Sequence, residues 1–231
     1  MLQLLNNITH KDLRVVTQRG AQWGDNVMSA LITPDEFRSV QAHYPILFQP
    51  DGEGGYQAVA LFGLEQGQNL FLTADGWDAE YLPLSMQRLP FSIGVTNGEL
   101  RMMVDMASPR ISHGAEGEAV FLPHGGTTDF IENANTVLRT LHEGLEAAPE
   151  FMQALVAHEL LESVRIEVER PDGSRGELVG FFIIHEERLA SLDAATIGLL
   201  HEADYLQPIY MAIASLSHLP ALIRRHLALN A

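Results

Sequence analysis

The sequence predicts an α+β fold: a mostly antiparallel sheet from the N-terminal half, joined by a C-terminal hairpin and packed by C-terminal helices. Three observations predict it. Residues 1–112 alternate short β-rich runs with Gly, Pro, Asn and Asp turns. Val164, Ile166 and Val168 alternate with Arg165, Glu167 and Glu169, the period of a half-buried strand. From Asp129 onward the apolar residues recur at three-and-four spacing, the period of an amphipathic helix.

The elements follow in order. Residues 13–17, LRVVT, form a short β run. Thr33-Pro34-Asp35-Glu36 is a capping box with Pro at the first helical position, so a helix starts there and runs to about Ala42. Tyr44 precedes Pro45 and is therefore extended; Ile46-Leu47-Phe48 begins a strand. Asp51-Gly52 and Gly54-Gly55 turn the chain into a second strand over residues 56–62, apolar enough at its end to be buried on both faces. Further strands are expected over 69–73, 91–96 and 100–105. Asn97-Gly98 is a strong hairpin signal between the last two.

Residues 112–128 are Gly-rich and read as a surface connection. The helix carrying Ile131, Ala134, Val137, Leu138, Leu141 and Leu145 is expected to stop before Pro149. A second helix then spans about 150–161. The hairpin turns at Pro171-Asp172-Gly173 and returns over 178–184. In the helical tail, Asp193 is an N-cap, Pro208 lies in a first turn and Pro220 breaks the path near Ser217. The whole reads as one domain, 1–231: strand- and turn-rich to 112, connected through 112–128, helix-rich with one hairpin from 129.

Composition narrows the function classes. Hydrophobic content of 46% with 19% charged residues is that of a globular protein. There is no Cys, which excludes disulfides, thiolate catalysis and Cys-ligated metals. The N-terminus shows no basic start followed by an apolar core, and no apolar run approaches a bilayer-spanning length. A cytoplasmic protein with no membrane insertion is expected, with export by a dedicated system left open. The net charge is −16. Residues 1–112 hold 12 acids against 7 bases and residues 113–231 hold 18 against 7, so the C-terminal half carries −11. Such a surface repels phosphates, so no nucleic acid partner is expected. It suits a basic partner or serves solubility.

No motif announces a reaction. His-Glu pairs occur at 142, 158, 185 and 201, none followed by a second His four residues on. His158 and Glu162 would share a helix face, and His185 is a distant third ligand, but a solvated ion pair explains the first two as well. No G-x-S-x-G and no phosphate loop is present. No catalytic residue and no cofactor is therefore assigned. Tyr44, Trp77 and Tyr81 are large amphipathic side chains suited either to core or to a binding cleft. Arg88, among aromatics and prolines, suits a bidentate grip on an anion or an internal salt bridge to Asp75, Asp78 or Asp105. Arg110 is placed second on the same grounds. These five form the speculative ligand-binding set. The apolar residues after Pro220 (Leu222, Ile223, Leu227, Leu229) suit packing on a second copy, a homodimer through the C-terminal helices, or packing on the chain's own domain.

One stretch is more distinctive than any motif. Between residues 41 and 91 stand His43-Tyr44-Pro45, Gly63-Leu64, Gln68-Asn69-Leu70-Phe71, Trp77, Tyr81-Leu82-Pro83 and Arg88-Leu89-Pro90-Phe91. Asp105, Ser108, Arg110 and Glu118 to Phe121 continue the pattern, as do GFFIIHEERLASL and LLHEADYLQPIYMAIASLSHLPALI. Over roughly residues 26–225 this resembles the SapC family, named for a gene of bacterial surface-layer loci. His185 stands where that family usually has Asp, which counts against an essential acid there. The resemblance implies an accessory or binding protein, not an enzyme. Its partner would be a peptide or protein in a surface-layer system or one linked to an outer-membrane receptor. Genes similar to flavin-dependent halogenases and cupin-type oxygenases share that setting. Two alternatives stay open: an enzyme with a His/carboxylate metal site built from distant residues, and a structural component of the surface layer.

Overall fold

The computed structural model describes residues 1–96, 98–169 and 175–229. In chain order the strands and helices begin with β1 (Leu2–Leu4), β2 (Arg14–Val15), β3 (Ser29–Ile32), α1 (Phe37–Val40), β4 (Ile46–Pro50) and β5 (Tyr56–Leu61). Next come β6 (Leu72–Thr73), β7 (Gly76–Trp77), α2 (Leu84–Gln87), β8 (Phe91–Thr96), β9 (Glu99–Asp105), β10 (Ile111–Ser112) and β11 (Glu118–Ala119). Then follow α3 (Asp129–Ala157), β12 (Leu161–Glu169), β13 (Arg175–Ile184), α4 (Glu186–Ala190), α5 (Ala194–Glu202), α6 (Leu206–Ser215) and α7 (Leu219–Leu229). The fold is α+β, as expected. It comprises two compact units, each discontinuous in sequence.

The first unit contains residues 1–26, 72–78 and 84–143. It holds two three-stranded antiparallel sheets, β1-β9-β8 and β10-β2-β11, and the β6-β7 hairpin. The β8–β9 register pairs Thr96 with Glu99, so a two-residue connection closes it. Of the expected Asn-Gly turn, Asn97 lies outside the described residues, and Gly98 takes a φ of 79°, the left-handed geometry such a turn requires. The core joins both sheets to the first half of α3: Val15, Phe91, Val104, Val120, Ile131 and Leu138 are buried together. Residues 112–128 are therefore more than a surface connection, because β11 pairs with β2 and Val120 is fully enclosed.

The second unit contains residues 27–71, 79–83 and 144–231. Its five-stranded antiparallel sheet has the order β12-β13-β4-β5-β3, so the C-terminal hairpin joins strands of the N-terminal half. The Pro171-Asp172-Gly173 turn lies outside the described residues. A bulge interrupts the hairpin: Val164 faces Phe181 but Ile166 faces Leu178, and Gly180 takes the left-handed φ of 88° that one-residue insertions favour. Phe37 of α1 contacts Phe48 of β4 and Phe151 of α3 at 6.3 and 6.1 Å between ring centroids. Ser215 at the end of α6 accepts the Ile46 backbone N–H at 2.8 Å and is buried doing so.

Four sequence expectations change. Helix α3 does not stop at Pro149 but runs through it for 29 residues. Pro149 withholds one N–H from the Leu145 carbonyl, yet both residues are exposed, where solvent can stand in for the missing donor. The helix ends instead where Glu159 turns left-handed at φ 57° and the Leu160 N–H reaches back to the Leu155 carbonyl at 2.8 Å. The strand expected over 69–73 shrinks to Leu72–Thr73, because the Asn69 side chain accepts the Phe71 N–H at 3.0 Å and makes a turn. The helix expected from Thr33 to about Ala42 is a 3-10 turn followed by the four residues of α1. Finally, Leu206–Leu229 is long and apolar enough, by length and composition, to cross a membrane, with a mean hydropathy of 1.3 in its most apolar window. Within it Pro208 lies in the first turn of α6, as expected, and α6 ends at Ser215 in a 3-10 turn (Leu216–His218) before α7, close to the break expected near Ser217. Ile209, Ala212, Leu222 and His226 along it are buried.

Candidate functional site

An apolar groove opens in the second unit, between the second half of α3 and the β5–β3 side of the sheet. It encloses about 480 Å³. Leu145, Ala148, Met152 and Val156 come from α3, at the spacing that puts side chains on one helix face. Leu31, Ile32, Tyr56 and Ala58 come from the sheet. The space exists because β5 presents Ala58 here, where a larger side chain would fill it. Leu145 and Val156 stand 38% and 51% exposed, so apolar surface stays open to solvent along the groove. From Leu145 to Val156 the helix rises about 16 Å.

One charged side chain stands at the groove, Asp51 in the β4–β5 turn. Its Oδ1 accepts the N–H groups of Glu53 at 2.8 Å and Gly55 at 2.9 Å. Those two backbone donors, Glu53 first, hold the carboxyl below the ordinary carboxylate range, so it is ionised near neutrality. The groove therefore joins an apolar floor to a fixed negative charge.

The residues expected from sequence to line a cleft fall elsewhere. Tyr44 is fully buried, packed edge-on against Phe62 and Phe71 at 5.1 and 4.7 Å. Its hydroxyl donates to the Tyr81 carbonyl oxygen. The Tyr81 hydroxyl donates to Glu36 Oε1 at 2.9 Å, and Glu36 Oε2 accepts the Thr33 N–H at 3.1 Å. The capping-box glutamate thus caps a helical turn and anchors the segment 79–83. Burial, and after it the negative charge of Glu36, push the Tyr81 phenol well above its usual range. As a cleft residue Tyr44 is corrected to core, since an enclosed side chain offers no contact area.

Arg110 is likewise internal, 1% exposed, with Nη2 2.5 Å from Oδ1 of the wholly buried Asp25. Its Nη1 donates to the carbonyls of Val16 and Gln18 at 3.1 and 2.9 Å. Arg88 pairs with none of Asp75, Asp78 and Asp105; its Nη1 donates to the Phe91 carbonyl at 2.8 Å. Partial burial lowers its pKa. It borders a second cavity with Ser92, Asp105 and Ser108, so among the five it keeps a charged group near open space. Trp77 is half-buried on β7.

His158 and Glu162 do not share a helix face: α3 ends at Ala157, and Glu162 belongs to β12. His185 caps α4, its Nδ1 accepting the Arg188 N–H at 3.4 Å and lying 3.8 Å from Glu162. Among the described residues no three His, Asp or Glu side chains gather around one point.

A family model matches residues 5–222, nearly the whole length, and its description is SapC. The chain belongs to the SapC family. Neither a curated protein nor a solved structure matches it. For this SapC-family chain the sequence pattern marked the aromatics of residues 43–91; of these Tyr44 and Phe71 are buried in the second unit and Phe91 in the core of the first. The groove went unseen because Ala58, Ala148 and Met152 carry no signal as single residues. A helix expected to break at Pro149 could not provide one continuous wall.

Proposed function

We propose that this SapC-family chain is a non-enzymatic binding protein whose recognition surface is the apolar groove between α3 and the β5–β3 side of the sheet. It recognises a segment of a peptide or partner protein, in the surface-layer or outer-membrane-receptor setting that the family resemblance implies. The observation that carries this reading is the groove itself. Its volume, about 480 Å³, falls within the ~300–1,000 Å³ typical of binding sites, and its lining is apolar with few polar groups. Contiguous exposed apolar surface of this kind marks contact sites. A wall about 16 Å long accommodates about five residues of extended chain.

The test is selection of binders from a random displayed peptide library against the full chain, followed by calorimetry on wild type and Ala148→Trp. An indole at 148 occupies the groove from the exposed helix face. The reading expects selected peptides to bind wild type and to lose at least tenfold in affinity to Ala148→Trp, with the melting temperature preserved. Unchanged affinity would place recognition elsewhere.

A further inference from the structure

We infer that the groove takes a segment of a partner protein in which two or three apolar side chains are flanked by a Lys or Arg, the cation pairing with Asp51. This rests on the groove being the recognition surface and adds the chemistry of its occupant.

The argument starts with the turn. Asp51 N donates to the Gly55 carbonyl at 3.1 Å, and Asp51 Oδ1 accepts from both Glu53 and Gly55. The backbone bond closes the turn, and the other two hold the carboxylate. Both of these are accepted by Oδ1. Gly55 is required for this arrangement, because a Cβ there would lie 2.5 Å from Asp51 Oδ2 and displace it. Gly54, at φ 99°, has open space where a Cβ would stand, so bare backbone borders the groove beside the carboxylate. A side chain at 54 would narrow the approach.

Charge complementarity then selects the occupant. The other groove residues are uncharged at neutral pH, and the whole chain carries −16. A segment flanked by acids would meet repulsion from both the local and the global field, whereas a basic flank is attracted by both. Apolar side chains fill the floor between Ala58 and Met152, and the cation reaches an ionised carboxylate held at the groove by its turn. Because Asp51 is exposed, the pair contributes selectivity more than affinity.

The test is a charge-swap cycle with fluorescein-labelled synthetic peptides: an apolar triplet followed by Arg, the same triplet followed by Gln, and the same followed by Glu. Each is titrated by anisotropy into wild type, Asp51→Asn and Gly55→Ala at low and high salt. The Arg peptide should bind wild type about threefold tighter than the Gln peptide at low salt, with the Glu peptide weakest. That preference should vanish in Asp51→Asn and shrink in Gly55→Ala, which keeps the charge but moves it. If all three bind wild type alike through the groove, blocked by Ala148→Trp, the basic flank is refuted and the groove reading survives. If none binds, or Ala148→Trp changes nothing, both are refuted.

Discussion

Arg110 and Asp25 meet at 2.5 Å in a space closed to water, the guanidinium 1% exposed and the carboxylate not at all. Asp25 also accepts from Arg19 at 3.3 Å and from the Gly20 N–H at 2.9 Å. Desolvation lowers the Arg19 pKa, and the neighbouring Arg110 charge lowers it further. One carboxylate thus serves two guanidinium groups and ties residues 16–25 to the segment that carries Arg110. The arrangement explains an arginine that the sequence left between structure and ligand.

Removing one partner strands a buried charge, so Asp25→Asn and Arg110→Leu should each lose about 3–5 kcal/mol in urea unfolding. Arg101→Ala, which breaks a surface pair with Glu99, should lose less than about 1 kcal/mol. Equal losses at the two sites would show that the buried pair has no special structural role.

Tyr44→Phe leaves the Tyr81 carbonyl without its donor inside the core and should cost about 1–3 kcal/mol. Tyr81→Phe carries a pH signature. The folded phenol titrates above its unfolded value of about 10, so its contribution is present below that pH and is lost as pH rises beyond it. Melting temperatures of wild type between pH 8 and 11 should fall more steeply than those of Tyr81→Phe. Parallel curves would contradict the buried, hydrogen-bonded assignment of this phenol.

Pro149 interrupts the hydrogen-bond ladder of α3 on an exposed face. Pro149→Ala restores the N–H that the Leu145 carbonyl lacks and should raise stability by about 2 kcal/mol, read by chemical denaturation. No gain would mean that the proline already fits the helix without cost.

Where hydrophobic period and turn chemistry agreed, the fold was legible in the sequence: the 56–61 strand, the β8–β9 hairpin, the Asp193 cap and the C-terminal hairpin. It was misread where one residue was taken as decisive. Pro149 looked like a stop, but an exposed carbonyl tolerates a missing donor. Glu162 looked helical until Glu159 adopted a left-handed φ that ends the helix three residues earlier. The site was less legible still. Tyr44 and Arg110 drew notice for their chemistry and proved internal, because hydrogen-bonding side chains in a core must find partners. The groove is made of alanines, a methionine and the gap between elements, a property of packing that no local spacing encodes.

The most direct test of the account is methyl NMR on the full chain. Isotope labels on Leu31, Ile32, Leu145, Met152 and Val156 report the groove, and those on Leu13, Val104 and Ile111 report the first-unit core. A library-selected peptide is titrated in. The account predicts saturable shifts at the groove methyls and none at the first-unit core, with the response abolished in Ala148→Trp. Shifts confined to other methyls, or an unchanged response in Ala148→Trp, would contradict recognition through this groove.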